Sequence, residues 1–325
     1  MLCLIDKTTD PYWNLAAEEY LLTSFEEPVF RLWQNDKAVI VGKNQNTLAE
    51  IDSEFINRHK IPVVRRLTGG GAVFHDLGNI NFTFIDRKIE EEDSGMMFRR
   101  FTSPIIDALN HLGINASLEG RNDLVIDGKK FSGNAICIHK GRILQHGTLL
   151  FSSSLNDLSG ALQNRPEKFT DKAVKSNRSR VTNISEHLVR PMTVSEFLMF
   201  LKNHIGKSYT EYNYSPDDLK QIEALAESKY RLDSWNYGCS PKYSFSKCIK
   251  FPAGLVELYM NVEKGIITRI EIRGDYFFKA PTEEFCKYLT GVPHSKEKIT
   301  DRLNTLAIDD YFSGINSEEL IRLFV

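Results

Sequence analysis

The most informative stretch of this chain is Arg65-Arg66-Leu67-Thr68-Gly69-Gly70-Gly71-Ala72-Val73-Phe74-His75-Asp76-Leu77-Gly78-Asn79. The apolar residues 61–64 precede it, and residues 80–85 alternate apolar and polar side chains as a half-buried strand does. The three glycines therefore lie between two predicted strands. Because glycine permits positive φ angles and lets an anion lie against backbone N–H groups, the stretch predicts an anion-binding loop beside two arginines.

The glycines do not belong to the common phosphate-binding motifs. No Lys-Ser or Lys-Thr pair follows them, as it would in a P-loop, and their spacing is not Gly-x-Gly-x-x-Gly. A Gly-rich hairpin turn with solvated arginines is the alternative interpretation. The flanking strands favour a binding loop, because functional loops are usually positioned by a rigid scaffold.

A second segment, residues 120–135, combines a hairpin signal with a lysine. Asp127-Gly128 predicts a two-residue turn between two strands, and Lys130 stands in the second strand near small residues that leave room for a ligand. An exposed hairpin lysine is the alternative, and it fits Lys129 better than Lys130. Lys130 is therefore a candidate ligand-binding residue.

Two further segments carry polar side chains that are candidates for a binding site. His146 is followed by Gly-Thr-Leu-Leu in a predicted strand, where a histidine is more often hydrogen-bonded within the protein than catalytic. Residues 175–184 hold several cations that could lie near the mouth of a site or dock a protein substrate. Ordinary surface charge is the alternative for this second segment.

Length and composition limit the class of protein. The 325 residues suffice for about two domains, and the formal net charge of -2 argues against binding nucleic acid or a membrane through bulk charge. The five cysteines are odd in number and lack Cys-x-x-Cys spacing, which argues against a disulfide framework or a zinc site. Without a signal-peptide core or a stretch near the ~20 apolar residues of a membrane span, we expect a cytoplasmic protein.

The chain is expected to divide near residues 235–241, where Gly, Ser and Pro interrupt the sequence. We predict a first domain over residues 1–240 and a small second domain of mixed strands and helices over residues 247–325. The first domain begins with a helix that Asp10-Pro11 starts. Glu18 and Glu19 in this helix are expected to be surface charges.

Three motifs together carry a resemblance to a known family. They are the quoted Arg-Arg-x-x-Gly-Gly-Gly-Ala-Val-Phe-His-Asp-x-Gly-Asn, then Gly-Arg-Asn-Asp followed by Lys-x-Ser-Gly-x-Ala, then His-Gly-Thr-Leu-Leu. In this order they resemble the signature of lipoate–protein ligases, within the larger group of biotin- and lipoate-attaching enzymes. The resemblance covers essentially the whole chain. It departs at Leu67-Thr68, where many members have two small polar residues, and at Gln145, where a second histidine is common.

The resemblance implies a fold of α+β class. Mixed sheets packed with helices in two layers would form a large biotin/lipoate-ligase-like catalytic domain. A small α+β C-terminal accessory domain would close over the active site or swing away from it.

The resemblance also implies a reaction in two steps. Lipoate and ATP give lipoyl-adenylate and pyrophosphate, and the amine of a specific lysine on a lipoyl domain then attacks the adenylate to form an amide. The implied acceptors are E2 subunits of 2-oxoacid dehydrogenases and the H protein of glycine cleavage. Octanoate is a possible substitute for lipoate, and Mg²⁺ is the expected metal.

Preorganised donors should dominate this chemistry, because charge builds on phosphoryl oxygens and no protein nucleophile is needed. Lys130 is the predicted catalytic residue, a protonated clamp between the lipoyl carbonyl oxygen and the α-phosphate. Asp123 is the candidate for binding Mg²⁺ or orienting the nucleotide. Trp33 belongs to a strand that the resemblance places along the acyl-tail tunnel, and His75 and His146 are further candidates for the lipoate pocket. The other candidates for binding ATP or the adenylate are Arg66, Gly70, Gly71, Ala72, Val73, Phe74 and Asn79.

Two other functions stay open at the level of sequence. An acyltransferase of the same fold would take a preformed lipoyl or octanoyl group without ATP, and a covalent route would need a cysteine, for which Cys137 is the only candidate near the motifs. A non-catalytic lipoate- or nucleotide-binding scaffold is the second alternative. Arg66, the three glycines and Lys130 argue against a scaffold.

Overall fold

The computed structural model describes residues 1–162, 169–171, 181–251, 253–276 and 279–324. Within these residues the chain forms two compact units. The N-terminal unit comprises residues 1–43, 61–159 and 181–231, and the remaining described residues form the C-terminal unit. The predicted domain limits stay a prediction, and the structure adds that residues 44–60 group with the C-terminal unit. The cations of residues 175–180 lie outside the described residues.

In chain order, the strands are β1 Leu2–Ile5, β2 Val29–Trp33, β3 Ala38–Val41, β4 Val63–Arg65, β5 Val73–His75, β6 Asn79–Arg87, β7 Ala116–Glu119, β8 Asp123–Ile126, β9 Lys129–His139, β10 Arg142–Leu150, β11 Phe169–Asp171, β12 Thr210–Glu211, β13 Tyr243–Phe251, β14 Gly254–Glu263 and β15 Ile266–Gly274. The α-helices are α1 Pro11–Ser24, α2 Thr47–Glu50, α3 Ser53–His59, α4 Ser94–His111, α5 Leu155–Ala161, α6 Val194–Ile205, α7 Pro216–Leu225, α8 Asp233–Asn236, α9 Thr282–Leu289, α10 Lys296–Leu303, α11 Ile308–Tyr311 and α12 Ser317–Ile321.

The N-terminal unit is built on a mixed sheet with strand order β12-β1-β2-β6-β10-β9-β8-β7. Strands β12, β1 and β2 run parallel to one another, whereas β2, β6, β10 and β9 alternate in direction. One face of this sheet packs against α4 and α6 through a core that includes Phe30, Phe82, Phe101, Phe131 and Phe197. The predicted α+β class, with a sheet layered against helices, is confirmed.

A smaller sheet, β4-β3-β5, carries the quoted stretch. Val41 of β3 lies opposite Arg65 in a parallel pair, and Ile40 lies opposite Val73 in an antiparallel pair. The chain therefore leaves β4 after Arg65, forms the glycine loop and returns in β5. The prediction that the loop is held between two strands is confirmed.

The hairpin between β8 and β9 has the predicted turn. Asp127 and Gly128 have φ angles of 50° and 70°. A two-residue turn with both central residues at positive φ matches the right-handed twist of the strands it joins, which is why Asp-Gly suits this position. Lys130 follows in β9 and lies opposite Val125 of β8.

Helix α1 begins as predicted. The N–H of Tyr12 donates to the Asp10 carboxylate at 2.9 Å, and Pro11 occupies the first turn. On one side Leu21 packs into an apolar cluster with β1, β2, β6 and β10, and on another Tyr20 donates a 2.6 Å hydrogen bond to Asp218. Because contacts surround this helix, its polar residues are not confined to a solvent-facing stripe.

The C-terminal unit has an antiparallel sheet, β11-β13-β14-β15, and an apolar core to which α9, α10, α11 and α12 contribute. This unit mixes strands and helices, as expected for the second domain. The Tyr243 hydroxyl contacts Nδ1 of His294, and His294 Nε2 lies 2.7 Å from the carbonyl oxygen of Phe324. Burial lowers the pKa of His294 to about 4, so a neutral imidazole anchors the end of the chain.

None of the described helices combines the length and the apolar character that crossing a bilayer requires. All five cysteines carry free thiols.

Candidate active site

The second face of the eight-stranded sheet is buried yet polar. Side chains alternate along a strand, so the residues between the apolar ones of β2, β6 and β10 all point to this face. They form two rows across the sheet, Arg31–Thr83–His146 and Trp33–Asn81–Thr148. Burying such groups is unfavourable unless each finds a hydrogen-bond partner. Helix α1 and the glycine loop supply those partners.

Glu18 of α1 is the residue for which the sequence prediction is wrong. Instead of lying on the surface, it is 3% exposed and faces His146, whose Nδ1 lies 2.9 and 3.0 Å from the two carboxylate oxygens. Thr83 donates a 2.5 Å hydrogen bond to the same carboxylate, and Trp33 donates through Nε1 to Thr83 at 2.9 Å. Burial alone would raise the pKa of Glu18, but its contacts with His146, with help from Arg31 and Thr83, hold that pKa below its ordinary value.

The same chain of contacts reaches the glycine loop. His146 Nε2 lies 2.8 Å from the Thr68 hydroxyl, and Arg66 donates through Nε to that hydroxyl at 2.9 Å. Six side chains are thus linked without interruption from Trp33 to Arg66. We call them the Glu18 chain; its members are Trp33, Thr83, Glu18, His146, Thr68 and Arg66.

Arg66 clamps the loop from inside. Its Nη2 donates to the carbonyl oxygens of Gly69 and Gly71 at 2.7 and 2.8 Å, and its Nη1 donates to Ile40 at 3.1 Å. Together with the Thr68 bond, these use four of the five N–H groups of a guanidinium. Burial lowers the pKa of Arg66 to about 10, so the side chain stays charged near neutral pH.

This clamp and the contact with Gly42 set the directions of two loop N–H groups. Because the peptide bond is trans, fixing the Gly69 carbonyl toward Arg66 turns the N–H of Gly70 the other way. The Gly70 carbonyl lies against Gly42, where a Cβ would come within 2.1 Å of its oxygen, so the N–H of Gly71 points away from Gly42. Gly70 has φ of 92°, which favours glycine. Among the described residues, no hydrogen bond engages the N–H groups of Gly70 and Gly71.

The other predicted residues of this loop are mainly structural. Ala72 is buried, and Val73 pairs with Ile40 in the small sheet. Phe74 is buried beside them. Their predicted contribution to nucleotide binding through the backbone stays a prediction.

His75 and Asn79 each carry one buried polar atom that has no partner in the described part of the chain, Nε2 of His75 and Oδ1 of Asn79. Nδ1 of His75 lies 3.0 Å from the Asn35 amide nitrogen, and Asn79 donates to Asn81 at 2.9 Å. The His75 ring also packs edge-on against Trp33, with ring centroids 6.1 Å apart. Burial, together with the nearby His146 and Arg66, lowers the pKa of His75 to about 3, so its imidazole is neutral.

Asp76 and Gly78, the next residues of the motif, shape the turn after His75. The N–H groups of Gly78 and Ser154 donate to the Asp76 carboxylate at 2.9 and 2.7 Å. A Cβ on Gly78 would lie 2.3 Å from the carbonyl oxygen of Ser152, so only glycine fits there. Asp76 and Gly78 therefore hold the backbone and need no ligand to account for them.

Lys130 and Asp123 form an ion pair across the β8–β9 hairpin, with Nζ 2.8 Å from Oδ1. Both side chains are partly exposed, at 27% and 31%. The Lys130 ammonium lies beside Gly133, where a Cβ would meet it at 3.2 Å, and the N–H of Gly133 approaches Thr148 Oγ1 at 3.3 Å. Thr148 lies two residues from His146, so the lysine stands at the edge of the polar face.

The structure thus brings most predicted residues together at one polar face: Trp33, Asn79 and His146 lie on it, Arg66 and His75 lie against it, and Lys130 and Asp123 lie beside it. Sequence reasoning missed Glu18 and Thr83. A signal existed only for Glu18, as a charge in a helix whose other residues are largely apolar.

Two regions of the chain match known protein families. Residues 10–206 match a family described as the lipoyl protein ligase A/B catalytic domain, and residues 240–324 match the bacterial lipoate protein ligase C-terminus. Lipoate–protein ligase 1 of Staphylococcus aureus is 42% identical over 97% of this chain and 97% of its own length. The lipoate-protein ligase LplJ of Bacillus subtilis is 40% identical, over 97% and 96%.

Solved structures are similar as well. A bi-partite lipoate protein ligase from Thermoplasma acidophilum, described with its E2 lipoyl domain, has a TM-score of 0.63 at 27% identity and covers 73% of this chain and 96% of that one. LipL1 of P. falciparum in complex with lipoate has a TM-score of 0.60 at 28% identity, with 94% of each chain covered. A lipoate-protein ligase A bound with ATP has a TM-score of 0.62 at 26% identity, covering 73% and 98%.

Proposed function

Because this chain belongs to the lipoate–protein ligase family, we propose that it activates free lipoate with ATP and transfers the lipoyl group to a lysine of lipoyl-domain proteins. The observation that carries the proposal is the glycine loop: the Arg66 clamp turns the N–H of Gly70 away from Arg66, and the Gly70 carbonyl against Gly42 turns the N–H of Gly71 away from Gly42. Preformed donors of this kind suit a reaction that builds charge on phosphoryl oxygens.

In the first step, a lipoate carboxylate oxygen attacks the α-phosphorus of ATP, the bond to the bridging oxygen breaks, and pyrophosphate leaves. The N–H groups of Gly70 and Gly71 donate to phosphoryl oxygens. Lys130 neutralises charge between the carboxylate and the α-phosphate, and its ion pair with Asp123 holds the ammonium in place beforehand. No protein nucleophile takes part, which is usual for phosphoryl transfer.

In the second step, the acceptor amine attacks the lipoyl carbonyl carbon. An amide forms, the bond between that carbon and the phosphate oxygen breaks, AMP leaves, and the amine loses a proton. Lys130 again stabilises the oxyanion and the departing phosphate as a point charge.

The acyl tail of lipoate is proposed to lie against Trp33, with His75 and His146 nearby. Support comes from the edge-on packing of His75 on Trp33 and from the inclusion of both Trp33 and His146 in the Glu18 chain. The unpartnered Nε2 of His75 and Oδ1 of Asn79 are available for polar contacts of a bound ligand or water.

Mg²⁺ fits only as a metal shared with the substrate. The described residues contain no group of three or more potential ligand side chains. Mg²⁺ in nucleotide sites is commonly held by one or two carboxylates together with substrate phosphates, and the partly exposed Asp123 is able to supply one. The metal would then neutralise charge on the phosphates.

The proposed acceptors are E2 subunits of 2-oxoacid dehydrogenases and the glycine cleavage H protein, with octanoate as an alternative acyl substrate. The similarity to a ligase described with its E2 lipoyl domain supports the first of these. We propose a cytoplasmic location, which the five free thiols support because a reducing compartment preserves them.

The transferase alternative lacks structural support. Burial raises the pKa of the Cys137 thiol, and its side chain packs on the apolar cluster beneath α1. Since the thiolate is the reactive form, a raised pKa makes this cysteine a poor nucleophile near neutral pH.

Pyrophosphate release tests the function directly. Purified protein with ATP, Mg²⁺ and free lipoate should release pyrophosphate, and an apo lipoyl domain should gain the mass of one lipoyl group. Leaving out lipoate should abolish both signals. Acyl transfer from synthetic lipoyl-adenylate without any pyrophosphate release from ATP would instead identify a transferase that lacks the activation step.

A further inference from the structure

Glu18 has no assigned role, yet the Glu18 chain has a direction that its two ends fix. Trp33 carries only an N–H donor, so Thr83 must accept from it and pass its own hydroxyl hydrogen to Glu18. Arg66 is also donor-only, so Thr68 must accept from Arg66 and give its hydroxyl hydrogen to Nε2 of His146. Every hydrogen in the chain then points toward Glu18.

His146 completes this pattern in one tautomer. With Nε2 accepting from Thr68, the neutral imidazole carries its hydrogen on Nδ1, which faces both Glu18 oxygens at 2.9 and 3.0 Å. An ionised carboxylate accepts at both oxygens, so Glu18 satisfies Thr83 and His146 together and presents no donor to either of them. The hydrogen bond that Nε2 accepts thereby determines that Nδ1 carries the ring hydrogen.

We propose that Glu18 is a positioning residue for adenylation: as the common acceptor of the Glu18 chain, it sets the tautomer of His146 and so keeps Arg66 on the carbonyls of Gly69 and Gly71. This inference rests on the proposed function, since it assigns the loop amides to phosphate binding. Glu18 acts through three side chains and touches none of the loop atoms itself.

Glutamine at position 18 breaks the pattern without changing the size of the side chain. Its amide nitrogen would face the Nδ1–H of His146, donor against donor. Moving that hydrogen to Nε2 relieves this conflict but gives Thr68 two donors and leaves its own hydroxyl hydrogen without an acceptor. The unfavourable contact is then at Thr68, which is directly bonded to Arg66.

The adjacent Glu19 provides a matched control. It belongs to the same helix and is also partly buried, but it accepts from Lys229 and Tyr230 and lies outside the Glu18 chain. We expect Glu18→Gln to lower kcat/KM for ATP in lipoate-dependent pyrophosphate release by about tenfold, the size of one hydrogen bond to a charged group. Glu19→Gln should stay within about twofold of wild type, because it removes no contact of the loop.

Two further measurements distinguish positioning from a general loss of structure. Thr68→Val should slow pyrophosphate release about as much as Glu18→Gln, and Thr68→Ser, which keeps the hydroxyl, should restore it. The double variant Glu18→Gln/Thr68→Val should be no slower than Thr68→Val alone, because both interrupt one chain. Nitrogen-15 spectra of labelled histidine should show His146 protonated on Nδ1 in the wild type and not in Glu18→Gln.

Additive losses in the double variant, or Glu18→Gln within twofold of wild type, would overturn the proposal. If Glu18→Gln does not fold, Thr68→Val against Thr68→Ser decides the question, since both keep the Glu18–His146 pair. If the wild type itself releases no pyrophosphate, the proposed function fails. In that case the role of Glu18 is tested only by comparing the tautomer of His146 in the wild type and in Glu18→Gln. The same tautomer in both proteins would reject that role.

Discussion

Arg66 and Lys130 are both cations of the candidate active site, but the protein uses them differently. The Arg66 side chain is 5% exposed and spends four N–H groups on Thr68, Ile40, Gly69 and Gly71. The Lys130 side chain is 27% exposed, and within the described part of the chain its one ion pair is with Asp123. A cation whose donors are already engaged shapes the protein, whereas one with open donors is ready to engage a ligand.

The comparison predicts that Lys130→Ala has the largest effect on activity and little effect on stability. We expect pyrophosphate release to slow by about 100- to 1000-fold, the range for removing one preorganised donor to a developing oxyanion. Thermal unfolding should be nearly unchanged, because a partly exposed ion pair contributes little to folding. Lys129→Ala, at the exposed neighbour, is the control and should keep normal activity. A loss confined to unfolding temperature would contradict the assignment.

Arg66→Lys, unlike Lys130→Ala, should have a large effect on stability. A lysine is unable to reproduce the planar fork, so at least one loop carbonyl loses its charged donor, and the free energy of unfolding should fall by about 2 to 3 kcal/mol. Urea unfolding measures this loss. Arg58→Lys is the control, since Arg58 is exposed and, among the described residues, pairs with Glu54 alone. Equal stability of Arg66→Lys and wild type would mean that the clamp does not hold the loop.

Gly42→Ala tests the loop without touching either cation. The added Cβ would lie 2.1 Å from the Gly70 carbonyl oxygen, so the loop must move, at a cost of about 1 to 3 kcal/mol. We expect slower pyrophosphate release and a lower unfolding temperature. Gly69→Ala is the matched variant, because its Cβ would meet nothing within 4 Å, and it should behave nearly as wild type. If both variants behave alike, the close approach of Gly42 is unimportant.

The sequence predicted the parts of this site that depend on local chemistry. The glycine loop between strands and the Asp127-Gly128 turn follow from alternation and from the φ angles that these residues favour. The partners of Glu18 could not be predicted in this way, since Thr83 and His146 lie 65 and 128 positions away along the chain. Helix α1 gives only one signal, a charge among largely apolar residues, because it is buried on several sides and its polar residues do not mark a solvent face.

The same limit applies to Arg66, for which the sequence predicts a donor to the ligand. That Arg66 instead binds its own loop depends on where the Gly69 and Gly71 carbonyls point, which is a property of the folded backbone. Its contact with the nucleotide stays a prediction, with one Nη1 hydrogen left for it.

Acid should destabilise the protein through His75, the neutral neighbour of buried Arg66. The pKa of His75 is lowered to about 3 by burial and by the nearby His146 and Arg66, whereas an unfolded histidine titrates near 6.5. Between these values the unfolded state holds one more proton, so stability is full above pH 6.5 and falls as the pH drops. From pH 7.5 to 5.5 this amounts to about 1.4 kcal/mol. Urea unfolding across that range should show the slope in wild type, and His75→Gln should lack this component, because glutamine does not titrate. A slope unchanged in His75→Gln would mean that His75 is protonated in the folded protein, and therefore that the space beside Arg66 accepts a second positive charge.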